Sequence, residues 1–306
     1  MADYTKLSRE NIKNLLALYD LGDLESMVPM KGGQANSSVK IKTKKGDYTL
    51  SVCDEKTPEE LLCLTRVLSH LEIHEFPTPR LIPARNRDPF ISLGDKPVYV
   101  KKFLKGQVCQ TLSSAMLFQV GHAMARLHLL SPPPGLPRHF PYGLNTFETL
   151  FDTRHPYIDW LRQKKREIEM KIDPTLAKGF IHGDLFWDNL VFSSDTLVAI
   201  LDFEEACYYY KLFDLGMCVV GCCVQRKALS MDLIKHLLAG YQEVCPLEDA
   251  EKIQLPLFME YAAVAASFWR FRQYNIRYPS IEKKDAYLEL SSLADLIHSM
   301  NPGRFV

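Results

Sequence analysis

The stretch FIHGDLFWDNLVFSSDTLVAILDFEEA, Phe180 to Ala206, gathers the residue types of a reactive site into one short ordered run. His182, Asp184 and Asn189 follow the order H-x-D-x-x-x-x-N, and Asp202-Phe203 comes thirteen residues after Asn189. The charges stand at the ends of the apolar runs Leu190-Val191-Phe192 and Leu197-Val198-Ala199-Ile200-Leu201, where loops would hold them. That set suits phosphoryl transfer. One carboxylate must take or orient the proton of an attacking hydroxyl. An Asn oxygen and a second carboxylate are hard ligands for Mg²⁺, which neutralises the phosphates of ATP. A hairpin through the two apolar runs would bring Asn189 and Asp202 together.

The elements that must position these groups are legible on either side. Ser8 is placed to cap a helix over 9–21, and 24–54 reads as three short strands with a Lys44-Lys45-Gly46-Asp47 turn. A helix begins at Thr57-Pro58 and ends before Pro77 and Pro79, and the segments ARNRDPFISL and KPVYVKKFL add two strands. Roughly five strands and one inserted helix therefore fill about the first hundred residues. After Gly106 the pattern is helical: TLSSAMLFQVGHAMARLHLL, a PPPGLP break, HPYIDWLRQKKREIEMKI, and a largely helical remainder. The charges of RQKKREIEMK read as a solvated helix face. The expected class is α+β and two-lobed, a small antiparallel sheet in 1–104 and a mostly helical part in 105–306.

Composition removes other classes. Lys+Arg and Asp+Glu are both 37 in 306 residues, so no nucleic-acid partner is suggested. No run approaches the roughly 20 apolar residues of a membrane span, and the polar start MADYTKLSRENIKNLL does not read as a secretory signal. The eight cysteines form no C-x-x-C and read as buried thiols of a reducing cytoplasm. No pattern sets an oligomeric state.

The ordered motifs resemble the aminoglycoside-phosphotransferase-like kinases, small-molecule relatives of protein kinases, over nearly the whole chain. Lys31-Gly32-Gly33-Gln34-Ala35-Asn36-Ser37 is similar to their nucleotide loop, and Phe213-Asp214-Leu215-Gly216 to their Asp-Leu buttress. Within that superfamily the wording is similar to the second type of homoserine kinases, which serve threonine biosynthesis. It reads HxDLFxDNxxF at His182–Phe192, DFxxAC at Asp202–Cys207, Asp214-Leu215, and FWxxRxY at Phe268–Tyr274. The resemblance implies a two-lobed protein-kinase-like fold, ATP and Mg²⁺ as cofactors, and a small-molecule hydroxyl acceptor. It makes Asp184 the catalytic base, with His182 orienting its loop, and Asn189 and Asp202 the metal ligands. Gly32, Gly33, Asn36, Ser37 and Ser51 would meet the nucleotide, as would the adenine linker Val100, Lys101 and Phe103. Asp214 would accept from the catalytic-loop N–H groups.

Two positions depart from the wider pattern. Ser51 stands where many members carry a third-strand Lys, and Arg66 where its helix Glu partner would fall. Lys40, Lys42 and Arg66 are then the cations left for the phosphates. For the acceptor, Arg272 matches the family Arg and would clamp a carboxylate, on a different helix face from Arg270. Glu204 and Glu205 would meet an ammonium, and Asp188 and Trp269 complete the acceptor set, although Asp188 equally suits the metal or a surface pair. Three readings stand at this point: a homoserine kinase; a kinase of an amino alcohol, aminoglycoside or aminated sugar; and an inactive nucleotide-binding relative.

Overall fold

A computed structural model describes residues 5–30, 36–54 and 56–300. Ser8 and Asn11 cap each other's backbone N–H and start α1 (Arg9–Ala17). The helix stops short of Leu21 because Leu18 and Tyr19 donate to carbonyls three residues back, tightening the last turn. β1 (Leu24–Pro29), β2 (Asn36–Thr43) and β3 (Gly46–Cys53) follow. Next come α2 (Pro58–Ile73), β4 (Leu81–Ile82), β5 (Ile91–Leu93) and β6 (Lys96–Lys102). Thr57 and Glu60 form a capping box at α2. The strands make one antiparallel sheet in the order β1-β2-β3-β6-β4, with β5 also on β6. The two-residue β4 is additional to the strands expected from sequence.

Register gives this sheet two unlike faces, because directly opposed residues share a face. Val39, Leu50 and Val100 lie across from one another, and with Ile41, Val52 and Val98 they close a core on Ile12, Leu15 and Leu16 of α1. The opposite face carries Lys40, Thr49 and Lys101 in one row and Ser38, Ser51 and Tyr99 in the next. The chain divides into two units. The first is Met1–Gly106 with Pro133–Gly135 and Val198–Leu201. Residues 198–201 belong to it through Ile200, whose N–H donates to Pro77 O (2.8 Å) and whose carbonyl accepts from Thr78 Oγ1 (2.9 Å).

The second unit is helical with short strands. In order these are β7 (Gln107–Val108), α3 (Ser114–Leu129), α4 (Leu144–Phe147), α5 (Pro156–Lys171), β8 (Lys178–Ile181), β9 (Leu190–Ser193) and the start of β10 (Thr196–Ile200), whose last three residues belong to the first unit. Then follow β11 (Cys207–Tyr210), α6 (Lys211–Cys222), β12 (Val224–Gln225), β13 (Ala228–Leu229), α7 (Met231–Gln242), α8 (Asp249–Phe271) and α9 (Tyr287–Ser299). α3 and α7 touch backbone to backbone. A Cβ at Gly121 would stand 2.0 Å from Leu237 O, and one at Gly240 1.9 Å from Phe118 O, so only glycine fits either position.

The charged helix α5 corrects the solvated-face expectation. Lys164 is buried and bonds Glu260 of α8 (2.9 Å) and Asp295 of α9 (3.0 Å). Lys165 is nearly as buried and bonds Glu148 and Glu169. Charge period alone cannot tell a solvated face from one whose ions are paired across helices. The eight cysteines are free thiols. Among the described residues no helix is long and apolar enough to cross a membrane.

Candidate active site

The run that opened the sequence reading becomes a loop tied to α6. β8 ends at Ile181, and the N–H groups of His182 and Gly183 then both donate to the Asp214 carboxylate, at 2.9 and 2.8 Å. Asp214 is fully buried in the first turn of α6. His128 Nε2 of α3 also reaches it at 3.0 Å, while His128 Nδ1 meets Tyr241 Oη of α7 at 2.9 Å. Burial alone would raise the Asp214 pKa. The hydrogen bond and charge of His128, the His182 charge and its N–H together hold it below the ordinary carboxylate value. His128 was read from sequence only as part of a helix; nothing in its spacing pointed to Asp214.

Gly183 has φ +86°, and a Cβ there would sit 2.8 Å from Glu205 O. Glycine therefore lets the turn after β10 lie directly on the loop that follows β8. The ring of buried His182 stands edge-on to Phe203, 4.6 Å between centroids, and its Nδ1 accepts from Asp184 N–H at 3.2 Å. The ring thus supports the loop. Asn189 ends a 3-10 turn, Trp187–Asn189, and its Nδ2 donates to Asp184 O at 2.8 Å, leaving the amide oxygen as the side chain's acceptor. Asp202 lies two residues past β10 in the left-handed region, φ 59° and ψ 66°, and opens the turn Phe203–Glu205. Aspartate is one of the few non-glycine types that tolerate that region.

These turns bring carboxylates onto Asp184. Burial and then the charges of Asp202, Glu205, Asp188 and Asp214 push its pKa up to about 8. Glu205 is thus among the charges that act there. Such a group of like charges fits a divalent cation, and Asn189 and Asp202 offer the hard oxygens it needs.

Tyr142 joins the same surroundings from the segment before α4. Its O–H donates to Glu205 Oε1 at 3.4 Å; burial and then the Glu205 charge raise its pKa, Trp269 and the Arg272 charge oppose that, and the Asp184 charge adds to it. Trp269 and Arg272 are three residues apart, so one helix face presents both. Arg272 opens a π-helical turn, Arg272–Arg277, that continues α8. Arg270 points elsewhere, to Glu289 (2.8 Å) and Ala286 O (3.1 Å). Tyr142 was missed from sequence because only PPPGLP was read, as a break, and residues 138–143 after it received no reading.

In the first unit, Gly32 and Gly33 lie outside the described residues, and Asn36 pairs through its backbone with Cys53. Ser37 Oγ donates to Asp54 Oδ2 (2.5 Å), which Thr5 and Lys96 also bind through Oδ1. Ser51 is buried with its hydroxyl on Ser38 Oγ at 2.9 Å. The Val100 side chain is core. Lys101 Nζ lies 5.0 Å from the Tyr99 ring centre, and Lys40 Nζ lies 3.8 Å over Phe103. In the expected adenine linker, the N–H groups of Lys102 and Phe103 are taken by Arg80 O and Asp47 O.

Residues 26–247 match the phosphotransferase enzyme family model, and the chain belongs to that family. It is a kinase-like phosphotransferase with homologues named homoserine kinase. That of Rhodospirillum rubrum is 30% identical over 274 residues, covering 86% of this chain and 85% of the relative. That of Agrobacterium fabrum is 28% identical over the same length, with coverages of 86% and 85%. Among solved structures, an amicoumacin kinase in complex with AMP-PNP, Ca²⁺ and Ami superposes with TM-score 0.78 at 14% identity, covering 98% of each chain. A microcompartment-associated aminopropanol kinase gives 0.75 at 17%, covering 97% of this chain and 99% of that one. The fold is protein-kinase-like.

Proposed function

We propose that the protein is an ATP- and Mg²⁺-dependent kinase that phosphorylates the hydroxyl of L-homoserine to O-phospho-L-homoserine. The observation that carries this is the company Asp184 keeps. Carboxylates and Asn189 crowd it, and Tyr142, in reach of its charge, is also in reach of the Arg272 guanidinium. An acceptor with an ammonium, a carboxylate and a hydroxyl matches that mixture of charges. The homology to homoserine kinases over 86% of the chain supports it independently.

In this reading Asp184 takes or orients the hydroxyl proton. His182 and Asp214 hold its loop, and Asn189 and Asp202 hold Mg²⁺. Bound Mg²⁺ supplies the positive charge that the phosphates and carboxylates call for. Residues 1–104 take the nucleotide through Gly32, Gly33, Asn36, Ser37, Ser51 and the Val100, Lys101 and Phe103 linker; 105–306 take the acceptor through Glu204, Glu205, Asp188, Trp269 and Arg272. The free cysteines support a cytoplasmic setting.

The excess of carboxylates around Asp184 favours, as a second reading, a cationic amino alcohol or aminated sugar with no carboxylate. The test is ATP turnover with L-homoserine, choline and an aminoglycoside as rival acceptors. Homoserine should give the highest kcat/KM. Preference for choline or the aminoglycoside would replace the reading, and absence of turnover with every acceptor would restore the inactive relative.

A further inference from the structure

With Asp202 given to the metal and Asp184 to the hydroxyl, Glu205 is the carboxylate left for the acceptor's ammonium. Unlike the exposed Asp188, it is half-buried and has a built support. The Tyr142 hydroxyl donates to Glu205 Oε1 at 3.4 Å, long for an O–H···O bond, and Trp269 acts on the same phenol. Phe140 stands edge-on to Tyr142 at 5.9 Å and packs on Phe213 of α6 at 4.5 Å, so the tyrosine ring is braced against the helix that holds the catalytic loop.

Resting on the acceptor reading above, we propose that Tyr142 is a specificity-determining residue. It aims the Glu205 carboxylate at the ammonium of a hydroxylated α-amino acid, while Arg272 takes the acceptor's carboxylate. Tyr142 acts through Glu205 and is a positioning residue. A simple packing role for the ring would leave the hydroxyl dispensable.

The experiment uses the full chain with ATP, Mg²⁺ and three acceptors. L-Homoserine carries both charges, 3-aminopropan-1-ol lacks the carboxylate, and 4-hydroxybutyrate lacks the ammonium. Tyr142→Phe keeps the ring and removes the bond to Glu205. It should raise KM for both ammonium-bearing acceptors by roughly tenfold, the worth of one hydrogen bond to a charged group, with kcat and the ATP KM little changed. The preference for homoserine over 4-hydroxybutyrate, as a ratio of kcat/KM values, should fall by the same factor. Thermal unfolding should show the variant folded. Equal changes for all three acceptors, no change, or a loss confined to kcat would overturn the proposal. If the wild type used 3-aminopropan-1-ol and not homoserine, the homoserine reading would fail, and the ratio of 3-aminopropan-1-ol to 4-hydroxybutyrate would still decide the role of Tyr142. A wild type indifferent to the ammonium would overturn the proposal while leaving the kinase assignment standing.

Discussion

Asp184 and Asp214 lie on the two sides of one loop, and their surroundings treat the same side chain in opposite ways. Asp214 is met by donors: two backbone N–H groups and the His128 ring. Its pKa is held down, its geometry is saturated, and it serves as structure. Asp184 is met by other carboxylates, and its pKa is pushed up to about 8. A buried carboxylate is stable where its partners travel with the fold. It is reactive where the partners must arrive from solution. Residue type does not distinguish the two cases; the sign of the neighbouring charges does.

The largest effect should come from Asp184→Asn, with kcat down about 10²–10⁴-fold, the usual worth of a positioned general base. Its melting temperature should hold or rise, since the amide can never ionise within a crowded set of carboxylates. An equally large fall in stability would place Asp184 with Asp214 and break the contrast.

Asp214→Ala should act on the fold instead. Removing one partner from a buried charged network costs about 3–5 kcal/mol, measured by denaturant titration at neutral pH. The pH dependence follows from the depressed pKa. The unfolded state binds more protons between the two pKa values, so the Asp214 contribution is complete above the unfolded carboxylate value. It is lost as pH falls through the folded one. The wild-type advantage over Asp214→Ala should therefore be flat above roughly pH 5 and shrink below pH 4. A gap that widens in acid would contradict the sign.

A buried cation offers a milder form of the structural case. Lys164→Met leaves Glu260 with His298 Nδ1 at 3.0 Å, so the loss should be about 1–3 kcal/mol, read from the same titrations. The smallest change should be Lys40→Ala. Its bond to Asp47 is 3.4 Å long and more than a third exposed at the lysine, so stability should fall by less than about 1 kcal/mol. A clear rise in the ATP KM of that variant would identify Lys40 as a cation for the phosphates and move it from support to function.

Much of this architecture could be read along the chain. That Asn189 and Asp202 stand at the two ends of one strand–turn–strand segment, before β9 and after β10, was legible because a hairpin is a local structure. Separating Arg270 from Arg272 was equally local, since helical period alone sends them to different faces. Other features were not local. Lys164 and Lys165 looked solvated because their partners Glu260, Asp295 and Glu148 lie far away in sequence. The span of α1 was overestimated because its apolar residues continue past the last helical turn into the core.

By itself, then, the sequence determined the class of chemistry, the order of the elements and the two-faced sheet. Each follows from short-range hydrogen bonding and from period-two or helical burial. Only the tertiary structure decided which carboxylate is matched and which is not. It set His128 on Asp214 through the glycine contact of α3 with α7, and it brought Tyr142, Trp269 and Glu205 together from three distant segments. Proximity of that kind depends on how packed surfaces meet, and no spacing along the chain encodes it.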